Sequence, residues 1–171
     1  EVVRGGTGAF AGVGAFAGSV HLKIAPNPRL PSAQVDFEAG SYGWRRAAMT
    51  AAWKTPAITH RAAVSHSTSD GYTENTDAMI TRATWIGDWS GERDGRWRAL
   101  IGLEEKAFGA QSFYTAAYPN QFESTGSAVG QVTWRRFAAW QSFVGAYARY
   151  HRDRFELYRE GPAWYAETTD G

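Results

Sequence analysis

The chain contains no cysteine, which excludes disulfide frameworks, thiolate nucleophiles and thiolate metal centres. It also lacks any run of about 18 apolar residues, and its mean hydropathy is negative, so no segment can span a bilayer as a helix. Charge of one sign is missing as well: 18 basic against 17 acidic residues leave a net +1, with no general pull toward nucleic acid or anionic lipid. The chain opens at Glu1 without methionine or signal peptide, so any targeting segment has been removed or lies outside it, and location must be read from the body of the sequence. What is abundant is glycine, at 19 residues, and aromatic side chains, at 15%. That aromatic content suits a protein with rings gathered at two interfaces.

Most of the chain alternates small or apolar residues with polar ones at the period of two expected of strands with one greasy and one wet face. Between Arg96 and Leu103, the residues Trp97, Ala99, Ile101 and Leu103 fall on one side and Arg96, Arg98, Leu100 and Gly102 on the other. A weaker alternation sets Phe143, Gly145 and Tyr147 against Ser142, Val144, Ala146 and Ala148. A β-barrel remains open to such a chain, because only alternate residues of its strands need to be apolar.

Three segments are distinguished. Residues 1–25 carry a tandem near-copy, GTGAFAG then GVGAFAG, too rich in glycine for a good helix and suited to tight turns around Phe10 and Phe16, before a short strand over 19–25. Residues 26–32 form a linker containing three prolines. From 33 onward the pattern predicts strands at 33–39, 44–53, 58–67, 78–87, 96–106, 121–134 and 140–152, with an eighth near the end. The turns at 54–57, 90–95 and 135–139 are short, whereas the loops at 67–76, 107–120 and 152–161 are long and polar. Trp53, Trp85, Trp89, Trp97, Trp134 and Trp140 flank the short turns, and Tyr72, Tyr114, Tyr118, Tyr150 and Tyr158 lie in or beside the long loops. Outer-membrane barrels alternate short periplasmic turns with long outer loops in this way, and indole and phenol rings favour the headgroup layers.

Several chemistries fail on spacing. Gly12, Gly14 and Gly18 are one residue too widely spaced for a dinucleotide fingerprint, and a strand pattern follows them rather than a helix. His60 and His66 share a strand face but lie about 20 Å apart, too far for one metal ion, which leaves them as lumen or rim residues. Nothing brings Glu104, Glu105, Asp153 or Glu156 to the separation of a glycosidase pair. The arginines of YARYHRDRFELYRE interleave with acids as well as aromatics, which fits a charged strand end and not a nucleic-acid site.

The opening EVVRGGTGAFAGVGAFAGSVHLKI resembles the end of the plug domain of TonB-dependent outer-membrane receptors, with Glu1, Val2, Arg4, Gly5, Ala15, Phe16 and Gly18 matching. FGAQSFYTAAYPNQFEST, at 108–125, and YHRDRFELYREGP, at 150–162, resemble barrel strands and loops of the same family, particularly its cobalamin-receptor-like members. GSYGWRR at 40–46 and SDGY at 69–72 also fit. His21 departs from the pattern, as do the turns at Pro56 and Ala138, which lack the usual glycine.

This resemblance implies an all-β chain: the end of a plug domain at 1–25, a linker at 26–32, and at 33–171 about seven or eight strands of an antiparallel transmembrane β-barrel. Such a piece is part of a larger plugged barrel in the outer membrane, where its partners are lipid, the TonB complex and a small solute such as a siderophore or cobalamin. It implies uptake by ligand binding and plug movement, without covalent catalysis, cofactor or metal site. Tyr114, Tyr118, Asn120 and Gln121 are the candidate ligand contacts, since aromatic and amide groups together grip a polar, partly apolar solute; packing loop on loop is their other role. The six tryptophans are the candidate membrane-interface residues. Two other architectures stay open: a small eight-stranded outer-membrane barrel with a structural or adhesive role, and a soluble β-sandwich that binds glycans through exposed aromatics.

Overall fold

The computed structural model describes residues 2–4, 18–20, 32–91, 95–137, 140–159, 161 and 166–170. The chain divides into two compact units, Glu1–Leu30 and Pro31–Gly171. In the first, β1 (Val2–Arg4) and β2 (Gly18–Val20) pair antiparallel with Val2 opposite Val20. The glycine repeat between them and the proline-rich linker lie outside the described residues, as does most of the strand expected at 19–25.

The second unit holds β3 (Ala33–Ala39), β4 (Arg45–Lys54), β5 (Ile58–Ser69), β6 (Ala78–Gly91), β7 (Gly95–Gly109), β8 (Phe122–Phe137), β9 (Gln141–Glu156) and β10 (Ala166–Asp170). Each strand pairs antiparallel with its sequence neighbours in one open sheet, with β3 and β10 at its edges. No helix occurs among the described residues. Every strand expected from 33 onward is present; β5, β7 and β9 run two to four residues further than expected at their loop ends, and β6 and β8 three to four further at their short-turn ends. Ser67–Ser69, Ala107–Gly109 and Asp153–Glu156 continue the ladder although their composition reads as loop. Backbone pairing does not depend on side-chain polarity, so a strand that continues beyond its apolar stretch leaves no trace in the pattern.

Register places each residue on one of two faces. Trp89, Trp97, Trp134 and Val144 lie opposite one another across four strands, and Val64, Ala83, Leu103 and Ala128 do the same further along. This face is apolar from the Trp row to Leu103, then turns polar at His66, Thr81, Glu105 and Arg152. The other face carries Glu38, Arg46, Arg61, Arg82, Asp88, Arg98 and Glu104, together with the apolar Ile86, Leu100, Val129, Phe143 and Tyr147. Its charges are paired: Glu38 with Arg46, Arg82 with Glu104 at 2.5 Å, and Asp88 with both Arg61 at 2.5 Å and Arg98 at 2.6 Å.

Burial runs against the rule for soluble sheets. Val35, Phe37, Met49, Val64, Ile101 and Leu103 on the apolar face are exposed, Phe37 to 79%. The buried apolar residues among those described are Ala48, Ile86 and Ala110; the first two sit on the charged face and the third in a loop. The sheet thus has no apolar core of its own among the described residues. Instead, its covered side holds the ion pairs.

Asp88 is the centre of that covered side, with 18% of its side chain exposed and one arginine on either hand. Removing it leaves two guanidinium groups competing for a half-buried space. Asp88→Ala should therefore lower unfolding stability by about 1–3 kcal/mol, discounted from the cost of breaking a fully buried pair because the site is partly wet. Asp88→Asn should fall between the two in chemical unfolding.

Candidate functional site

The two ends of the sheet differ. At one end the connections β4–β5, β6–β7 and β8–β9 span three residues each, 55–57, 92–94 and 138–140. There the indoles form ladders on the apolar face: Trp53 stacks on His60 at 4.9 Å, His60 meets Trp85 at 5.9 Å, and Trp97 lies between Trp89 at 6.1 Å and Trp134 at 6.2 Å. Trp85 starts higher on β6 than a turn-flanking residue should. Its ring reaches back over Gly87, where a Cβ would come within 2.7 Å of the indole, and so it joins the level of His60. Trp140, just before β9, is 85% exposed. His60 and His66 lie on this apolar face and not on the charged one, with His66 Nδ1 2.9 Å from Thr81 Oγ1.

At the other end, the loops at 70–77, 110–121 and 157–165 are longer, and the first two are tied together with residues 157–159 by a network of hydrogen bonds. Asn75 adopts a left-handed backbone, φ 53°, which asparagine tolerates better than most residues. Its side-chain amide donates to the carbonyls of Gln121 at 2.6 Å and Pro119 at 3.1 Å, and its own carbonyl accepts from Gln111 N–H at 3.1 Å. Gly109 is required beneath it, since a Cβ there would lie 2.5 Å from the Asn75 carbonyl. Arg159 closes the network by gripping both carboxylate oxygens of Asp77, donating its backbone N–H to the Asn120 carbonyl at 2.7 Å, and lying over Phe122 at 4.7 Å. The Arg159 guanidinium holds the Asp77 carboxyl below its ordinary 3.8.

Beside this knot is a cleft of about 530 Å³. Tyr114, Tyr118, Phe155 and Leu157 form its apolar walls, and Gln121, Glu123 and Asp153 supply the polar groups. The Tyr114 ring packs edge-on against Phe113 at 4.9 Å and Phe155 at 5.2 Å, and Tyr118 against Tyr158 at 5.4 Å. The Tyr114 hydroxyl donates to Glu123 Oε2; this bond, with some burial, pushes the phenol up to about 12 from 10.0.

Of the four candidate ligand contacts, Tyr114, Tyr118 and Gln121 therefore meet at one cleft. Asn120 does not line it; its side chain is exposed, and its carbonyl serves the loop knot. Gln121 is 1% exposed, and its Oε1 accepts the Tyr114 N–H at 3.3 Å, so packing is part of its role. Glu123, Asp153 and Phe155 were not singled out as ligand contacts. They come together because β8 and β9 pair Glu123 with Phe155 and Thr125 with Asp153, a register that no local spacing reveals. Glu104 and Glu156, by contrast, pair with arginines on their own faces. No group of three or more potential metal ligands occurs among the described residues. No protein-family model, curated protein or solved structure matches the chain.

The phenol gives a direct test. The raised pKa means that the folded state favours neutral Tyr114, so its contribution to stability is whole below pH 10 and is lost as pH rises toward 12. In an ultraviolet phenolate titration Tyr114 should ionise near pH 12, and Glu123→Gln should return it toward 10. The loop knot gives a second. Arg159→Met should speed hydrogen exchange at the amides of Gly109, Gln111 and Arg159, and the same loosening should appear in the unmodified protein as pH falls below 3.8 and Asp77 protonates.

Proposed function

We propose that the Pro31–Gly171 unit is part of the wall of an outer-membrane β-barrel, a piece of a TonB-dependent transporter that captures a scarce solute at its long loops and passes it to the periplasm. The observation that carries the reading is the reversal of burial: the apolar face is bare, while the buried residues and paired charges of β4–β7 lie on the other face. In water that arrangement exposes a large contiguous apolar surface, which soluble monomers rarely tolerate. In a bilayer it is the stable one, with lipid on the apolar face and the lumen on the charged face.

Three further features agree. From Trp97 to Leu103 the apolar band runs roughly 20 Å along the strand at about 3.3 Å per residue, of the same order as the ~25 Å band of outer-membrane barrels. Indole ladders border it at the short-turn end, and Tyr150, opposite Ala128, supplies a ring near its other border. Sheet edges at β3 and β10 are what a segment of a larger wall presents to neighbouring strands, because open edges do not persist in lipid. The plug-like opening and the likeness of 108–125 and 150–162 to TonB-dependent receptors direct this barrel reading toward uptake rather than adhesion. The short turns then face the periplasm and the cleft faces the medium, where Tyr114, Tyr118 and Gln121 meet incoming solute.

Reconstitution into vesicles of brominated phospholipid tests the membrane placement. Fluorescence of Trp85, Trp97 and Trp134, read in variants that keep one of the three, should be strongly quenched, and Leu103→Asp should reduce insertion. Unchanged fluorescence in brominated lipid, with the chain soluble and monomeric without detergent, would sink the reading in favour of a soluble β-sandwich.

A further inference from the structure

The cleft contains more negative charge than its surroundings answer. On the charged face Glu38, Asp88 and Glu104 each meet an arginine, whereas neither Glu123 nor Asp153 forms an ion pair among the described residues. Glu123 accepts only the Tyr114 hydroxyl among those residues. Asp153 Oδ1 is buried and has no hydrogen-bond partner among them. Lys106 stands on the same face, across Thr125 from Asp153, but its ammonium rests over the Phe108 ring at 5.8 Å.

Gln121 lines the same cleft, 1% exposed, with its oxygen fixed by Tyr114 N–H. A buried carboxylate oxygen without a partner costs free energy. That cost is relieved by a ligand that carries a positive centre for Asp153 and Glu123 and sits beside Gln121. The walls suit such a ligand, since Tyr114, Tyr118 and Phe155 offer π faces and edges to a cation that has left water.

We propose that this cleft binds a compact organic cation, a protonated or quaternary ammonium attached to a small hydroxylated body, with Asp153 and Glu123 as counter-ions, the aromatic walls around the ammonium and Gln121 on the hydroxyl. The assignment names the solute class for the uptake reading above and rests on it for the direction of entry. An anionic solute is disfavoured, because it would meet two carboxylates that form no ion pair among the described residues. A neutral saccharide would use the rings and Gln121 but leave the charge unanswered.

The test measures binding of choline, of its uncharged isostere with tert-butyl in place of trimethylammonium, and of glucose, to the whole chain in the brominated vesicles. Choline should bind saturably and at least about tenfold more tightly than the isostere, the difference expected when a cation meets both π faces and a carboxylate. Asp153→Asn and Glu123→Gln, checked for an unchanged strand signature in circular dichroism, should each weaken choline about tenfold and leave the isostere unaffected. Equal binding of choline and isostere by the unmodified protein would overturn the assignment, as would absent choline binding or tighter glucose binding that survives Asp153→Asn. The two proposals fail separately: indole quenching without choline binding rejects only the cation site, and choline binding without quenching rejects only the membrane placement.

Discussion

Eight strands hydrogen-bonded in register oblige every side chain to take one of two faces, and the rest of this structure depends on that constraint. Once Trp97 stands opposite both Trp89 and Trp134, the parity of every residue in five further strands follows. Apolar side chains collect on one side and ionic ones on the other, and a slip of one residue at any strand would exchange them. The arginine–aspartate–arginine bridge at Asp88 joins β5, β6 and β7 across the charged face and so reinforces the register that created it.

The ends of the sheet inherit a second asymmetry. The connections at the short end span only three residues each, and the indoles stack beside them. Longer loops at the opposite end need their own organisation. Asn75 and Arg159 provide it, and both work mainly through backbone carbonyls and one carboxylate rather than through an apolar core. The cleft is a product of that arrangement: two strand ends that continue beyond the apolar band, Glu123 on β8 and Asp153 with Phe155 on β9, roofed by the Tyr114 and Tyr118 loop. In the proposed setting this places a charged, ring-lined recess where a solute would first arrive.

Different parts of this molecule were legible to different degrees. Strand identity, strand order and the alternation of short and long connections follow from the two-residue period and from the turn residues, and the face assignment of 96–103 holds residue by residue, whereas in 142–148 register puts Val144 on the Trp134 face and Phe143 and Tyr147 on the charged one. The strand ends were not legible, because Ser67–Ser69 and Asp153–Glu156 carry the polarity of loops while keeping the hydrogen bonds of a ladder. At the cleft, Tyr114, Tyr118 and Gln121 stood out by residue type in a long loop, but Asn120 stood out for the same reason and points elsewhere. Arg159 gave no local signal of its bond to Asp77, since the two are 82 residues apart and meet only after four strands have been laid between them.

The sequence by itself determined a chain that must form two-faced strands and cannot form spanning helices, disulfides or thiolate sites, because those outcomes depend on period and composition. Only the tertiary structure decided which carboxylates are neutralised. Asp88 gains two arginines, Asp77 gains one, and Glu123 and Asp153 are left to a tyrosine hydroxyl and an open cleft. The physical reason is that charge pairing acts over a few ångströms in space, and neighbours at that range are set by cross-strand register and loop packing, not by distance along the chain.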